Sequence, residues 1–242
     1  MKYYSFAKYF IAFGSLFFLL SFSTMIDNEV TKVSSLDHEI PSRNIYNNGY
    51  IKDIRFNKVI IIGDSRMQRL RDRKDSIDIP SNFTFIAEGG TKIKWFNDTA
   101  INSLIDTLNN MDKIYKYHVV INMGVNDLEE SFDYSVYSDS YYGIIKNLIK
   151  KYPNVNFYFL SVNPIVEEVL NKWQPWSYRT NDKIKKFNYS LDKKLKSNFF
   201  ENYYYCNSID NLDFIIPDGI HYDKDTDQLI VDFIVNDCLN YD

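Results

Sequence analysis

Cysteine occurs only twice in this sequence of 242 residues, and histidine only three times. No CxxC pair and no His/Cys cluster is present, so a structural zinc site has no support. Glycine (8) and proline (6) are also few, which excludes collagen-like and linker-like chains. Positive charge is not in excess: 28 Lys and Arg face 32 Asp and Glu. No basic stripe could therefore follow a phosphate backbone, and nucleic acid is not expected as a partner. Two local basic runs, Arg66 to Lys74 and Lys183 to Lys196, are interleaved with polar residues and read as solvated helix faces. Internal repeats and low-complexity tracts are absent as well, which argues against a solenoid.

What the chain has in quantity is apolar and aromatic surface. Hydrophobic residues make up 45%, and Tyr and Phe alone number 20 and 18, ample to bury a full core and avoid disorder. The N-terminus has its own character. Lys2 and Lys8 precede an uncharged stretch from Tyr9 to Ile26, the pattern of a secretory signal or an uncleaved membrane anchor. Residues 1–26 are read that way, 27–55 as a polar linker, and 56–242 as one folded domain. An extracytoplasmic location follows, secreted or tethered. Cys206 and Cys238 are read as free buried thiols, with a single disulfide as the alternative.

From Lys58 onward, short apolar runs alternate with amphipathic stretches. Strands are expected at Val59–Ile62, Phe83–Ala87, Val119–Met123, Phe157–Val162 and Tyr203–Cys206. Helices are expected at about 66–72, 98–111, 136–151, 180–197 and 224–239. Repeated strand–helix order implies a mainly parallel sheet with helices on both faces. The fold class is therefore α/β, a three-layer α/β/α sandwich with about five parallel strands, flavodoxin-like. In such sheets function collects at the carboxyl ends of the strands.

Four motifs fall at such ends or just before the last helix. Gly63-Asp64-Ser65-Arg66 puts a serine at the start of a helix, beside backbone N–H groups and the positive dipole end. The same residues alone would also make an ordinary turn and helix cap. Gly89-Gly90 follows the second strand, where glycine permits a tight turn close to a ligand. Gly124-Val125-Asn126-Asp127 follows the third; its Asn could aim an amide at an oxyanion or cap a turn. Asp218-Gly219-Ile220-His221 precedes the last helix, with a carboxylate three residues before an imidazole. That spacing suits the base of a nucleophilic serine. His38 lies in the linker and His118 opens the third strand, which leaves His221 as the base.

Together, GDSR, GGT, GVND and DGIH resemble the four blocks of the SGNH (GDSL-like) hydrolases, and the resemblance covers most of residues 56–240. Asn181 to Leu191, with its N-x-x-I-x-x-F-N-x-x-L pattern, is similar to the helix before the last strand in that family. The resemblance implies Ser65 as nucleophile, His221 as base and Asp218 as its orienting acid. It implies an oxyanion hole from the Ser65 amide, the Gly90 amide (Gly89 being the neighbouring choice) and the Asn126 side chain. It implies no metal and no organic cofactor. Its substrates would be an acylated small molecule or an acetylated glycan, most simply through carbohydrate O-deacetylation. Acetyl transfer to a cell-wall or capsular glycan, with a membrane acyltransferase as partner, is the alternative. A non-catalytic glycan-binding protein is a third reading, at odds with the retained serine and histidine. Trp173, Trp176 and Tyr178 crowd one loop after the fourth strand, where aromatic faces would suit a sugar ring or simply pack the loop.

Overall fold

The structure is a computed structural model that describes residues 32–33, 57–128, 133–175, 177–197 and 201–239. The apolar stretch Tyr9–Ile26 and residue Trp176 lie outside them. Among the described residues, no helix is long and apolar enough to cross a membrane.

Five strands form the core sheet: β1 (Asn57–Gly63), β2 (Phe83–Ala87), β3 (Lys116–Asn122), β4 (Val155–Leu160) and β5 (Tyr203–Cys206). Their order is β2-β1-β3-β4-β5, and every pairing is parallel. Val59 to Gly63 in β1 and all of β4 are buried, which is why these strands read as continuous apolar runs rather than alternating ones. The alternation reappears in three dimensions. Ile60, Ile62, Val119, Ile121, Phe157 and Phe159 face one core, while Val59, Ile61, Val120, Tyr158 and Leu160 face the other.

Helices cover both faces. The first core takes Leu104 and Leu108 from α2 (Ile101–Asn109), Ile145 and Leu148 from α3 (Tyr134–Lys151), and Ile184, Phe187 and Leu191 from α5 (Asn181–Lys196). The second takes Met67 and Leu70 from α1 (Ser65–Asp72) and Ile230 and Val231 from α6 (Lys224–Phe233). This is the expected three-layer sandwich. A π-turn at Phe96–Ala100 leads into α2, and another at Ile234–Cys238 prolongs α6. A two-residue ladder pairs Lys32–Val33 antiparallel with Phe214–Ile215.

Three local expectations change. Cys206, at the end of β5, is bonded to Cys238, after α6, so the free-thiol reading is corrected to one disulfide. The two Cα atoms are 5.6 Å apart, a separation that only the packing of α6 against the sheet could reveal. The basic run Arg66 to Lys74 is not a wholly solvated face: Arg66 is 1% exposed. The loop after β4 also contains a helix, α4 (Glu167–Trp173). Two α5 asparagines fix that loop. Asn188 bridges the N–H and carbonyl of Val162 at 2.9 and 2.8 Å, and Asn181 does the same for Ile165 at 2.9 and 2.9 Å.

Candidate active site

The sheet order reverses between β1 and β3, since β1 continues to β2 on one side and meets β3 on the other. Such a switch point opens a crevice at the strands' carboxyl ends. Ser65 follows β1 and Asn126 follows β3, so both belong to that edge. Asp64 caps α1, accepting from the Arg66 N–H at 3.0 Å. Ser65 is thereby the first helical residue, at the end where free N–H groups favour negative charge. Burial raises the Asp64 carboxyl, and the Arg66 guanidinium works against that rise.

His221 Nε2 lies 2.8 Å from Ser65 Oγ, and its Nδ1 lies 2.8 Å from Asp218 Oδ2. An ionised carboxylate only accepts, so Nδ1 carries the proton and Nε2 offers its lone pair to the serine hydroxyl. The other Asp218 oxygen accepts from the N–H groups of Ile220 (3.0 Å) and His221 (2.7 Å). Burial pushes this carboxyl up, but the bonds from the His221 ring and these two amides outweigh it and hold it at about 2. It is therefore a carboxylate at any ordinary pH. Gly219 makes the turn possible. Its φ is +85°, and a Cβ there would stand 2.5 Å from the backbone nitrogen of Leu170 in α4. Helix α4 holds the same turn from outside. Val166 N–H donates to the Gly219 carbonyl at 2.9 Å, and Trp173 Nε1–H to the Asp218 carbonyl at 2.7 Å.

On the opposite side, Asn126 is buried with 6% exposure. Its Nδ2 donates to the Thr91 carbonyl at 3.1 Å, and its Oδ1 accepts from Arg179 Nη2 at 3.0 Å. A carbonyl cannot donate and a guanidinium cannot accept, so the amide has one orientation. Of the two turn glycines, Gly89 abuts the serine: a Cβ there would lie 3.7 Å from Ser65 Cβ. Gly90 has a positive φ of +71°, and nothing lies within 4 Å of its missing Cβ. Next to Asn126, burial lifts the Asp127 carboxyl to about 6, although it accepts from Ile93 N–H (3.0 Å) and Tyr141 Oη–H (2.8 Å).

This architecture has counterparts among solved structures. A GDSL-like lipase from Bacteroides thetaiotaomicron superimposes with a TM-score of 0.56 at 17% identity, over 75% of this chain and 87% of that one. A lipolytic protein of the G-D-S-L family from Veillonella parvula gives 0.53 at 11%, over 76% and 98%. An acetyl esterase solved with an acetate ion gives 0.52 at 15%, over 76% and 96%. The chain has the SGNH hydrolase fold. No protein-family model matches the sequence, and no curated protein matches it significantly.

Within the SGNH fold, the structure brings Ser65, His221 and Asp218 into one hydrogen-bonded chain, and sets Gly89 beside the serine. Trp173 and Tyr178 are 42% and 48% exposed. Trp173 stands against the Asp218 turn, whereas Tyr178 precedes Arg179, which reaches Asn126. His118 lies in β3 away from these groups, buried with Nδ1 3.2 Å from Tyr158 Oη.

Two site arginines escaped sequence reasoning. Arg66 donates from Nε to the Ile220 carbonyl (2.9 Å), from Nη1 to Asn163 (2.8 Å) and from Nη2 to Pro164 (2.9 Å). It thus ties α1 to the residue preceding His221 and to the loop after β4. Its guanidinium also lies 4.9 Å from the Tyr222 ring. The one available signal was its place directly after the serine. Arg179 has no local signature, because its partners in the site, Val125 and Asn126, lie some fifty residues back in sequence.

Proposed function

We propose that this chain is a serine esterase that removes acetyl groups from carbohydrate outside the cytoplasm. The observation that carries the reading is the Ser65–His221–Asp218 chain, joined by two hydrogen bonds of 2.8 Å at the switch point of the sheet. Ser65 Oγ attacks the ester carbonyl while its proton passes to His221 Nε2. Asp218 stays ionised and stabilises the imidazolium. Negative charge on the carbonyl oxygen is met by N–H groups at the start of α1, by the Gly89–Gly90 turn and by Asn126 Nδ2. The C–O bond to the sugar then breaks, and the departing sugar oxygen takes the proton from His221. Water, deprotonated by His221, next attacks the acyl carbon, releasing acetate and returning the proton to Ser65.

The acetyl preference draws support from the acetyl esterase that shares the fold. The carbohydrate preference rests on two exposed rings: Trp173, which ends α4 against the Asp218 turn, and Tyr178, whose neighbour Arg179 reaches Asn126. The extracytoplasmic placement rests on the basic start and apolar run of residues 1–26.

The test compares acetate release from p-nitrophenyl acetate by the full chain and by its Ser65→Ala variant, followed by acetylated glycans. Serine-dependent release from both is expected. Equal rates in the two proteins would refute Ser65 as the nucleophile. Serine-dependent turnover that requires a glycan acceptor, and fails with water, would replace hydrolysis by acetyl transfer with a membrane acyltransferase as donor.

A further inference from the structure

Arg179 lies in the strap between α4 and α5, and every nitrogen of its guanidinium has a partner. Nε donates to the Val125 carbonyl at 3.0 Å, and Nη2 to Asn126 Oδ1 at 3.0 Å. Nη1 donates to Gln174 Oε1 at 3.2 Å and Ser177 Oγ at 3.3 Å. One side chain therefore grips two consecutive residues of the Asn126 turn and two residues of its own strap. Asn126 is short and cannot be held by packing alone, since two of its amide orientations have nearly the same shape. Arg179 removes that ambiguity by supplying an obligate donor on one side, while the Thr91 carbonyl supplies an obligate acceptor on the other.

We propose that Arg179 is a positioning residue that aims the Asn126 amide at the developing oxyanion and couples the aromatic strap to the rate of acylation. The proposal rests on the esterase reading above and deepens it. Only one N–H of Asn126 Nδ2 is needed for Thr91; the second is the donor left for the reaction. Tyr178, next to Arg179 in sequence, is 48% exposed, so a ligand that engages this ring would act on the backbone that carries the guanidinium. Lysine could not replace it. A single ammonium cannot meet the Val125 carbonyl, the Asn126 amide and the strap together, whereas the planar fork can.

The experiment is a double-mutant cycle in the full chain on Arg179→Gln and Asn126→Ala, with Ser65→Ala as control. The readout is the rate of Ser65 labelling by a fluorophosphonate, which builds charge on the same oxygen position, together with kcat and KM for p-nitrophenyl acetate. Loss of one oxyanion donor typically costs about 10²–10³ in rate, and a misaimed donor should cost at least about tenfold. Arg179→Gln is therefore expected to lower kcat and labelling at least about tenfold with KM little changed. In the Asn126→Ala background the same substitution should cost less than about twofold, because the group it positions is gone. Multiplicative losses in the double variant would overturn the proposal, since a merely structural arginine acts independently of Asn126. Unchanged kcat in Arg179→Gln, or in Asn126→Ala, would overturn it too. If Arg179→Gln loses the fold by near-ultraviolet circular dichroism, Arg179→Lys carries the same cycle with the same criteria. A labelled and active Ser65→Ala protein would instead refute the esterase reading itself.

Discussion

Replacing Asp127 by Asn should flatten the dependence of stability on pH. The Asp127 side chain is 1% exposed and sits between Ile93 N–H and Tyr141 Oη–H. Burial lifts its carboxyl from 3.8 to about 6, with the nearby Asp64 adding to the rise. The folded form thus keeps a proton that the unfolded chain has lost, so stability must fall as pH climbs from about 4 to about 6, and then level off. Two units correspond to about 3 kcal/mol. At pH 4 the protonated acid and the amide are close substitutes, and the two proteins should agree within about 1 kcal/mol. At pH 7 the variant should be the more stable by up to about 3 kcal/mol. Urea unfolding followed by tryptophan fluorescence at pH 4, 5, 6 and 7 reads this directly, with the disulfide left intact. Asp227, also lifted to about 6 by burial, contributes its own slope, but it does so in both proteins and cancels. Parallel pH–stability curves for wild type and variant would refute the reasoning.

Arg66→Lys should cost about 3–5 kcal/mol, because one ammonium cannot serve three carbonyls, two of them buried. It should also depress esterase activity, since the Ile220 carbonyl it abandons precedes His221; thermal unfolding and p-nitrophenyl acetate turnover check both. Gly219→Ala forces a non-glycine residue to φ near +85° and drives a Cβ into the backbone of α4. A loss of about 1–3 kcal/mol from conformation alone is expected, with further loss from the clash and collapse of turnover, measured by the same pair of assays. Paired Cys206→Ser and Cys238→Ser substitutions open a loop spanning 32 residues and should lower stability by about 3–4 kcal/mol. Equal unfolding midpoints with and without reductant would contradict that expectation.

The layer structure was legible because both faces of a parallel sheet are covered. Val59–Ile62 and Phe157–Leu160 read as apolar runs for that reason, and lie at the centre of the sheet. The Asp218-x-x-His221 spacing was legible too, because a three-residue turn is local: both amides that hold Asp218 come from the next three residues. Helix α4 was not legible, as seven residues between Pro164 and Pro175 carry too short a periodicity to stand out from a loop.

Whatever depended on distant partners was decided only by the tertiary structure. Arg66 and Asp227 look like ordinary surface charges until the loop after β4 and the Asp218–His221 turn close on the first, and Arg73, just after α1, meets the second. The two cysteines could be paired only once α6 lay against the sheet. That a Cβ on Gly89 and not on Gly90 would meet Ser65 is likewise a matter of strand-end geometry and not of spacing. By itself the sequence determined the order of elements and singled out the groups proposed to react, because periodicity and short motifs are local properties. Tertiary structure alone decided which charges are buried, which amide points where and which thiols meet, because burial and long-range hydrogen bonds have no local signature.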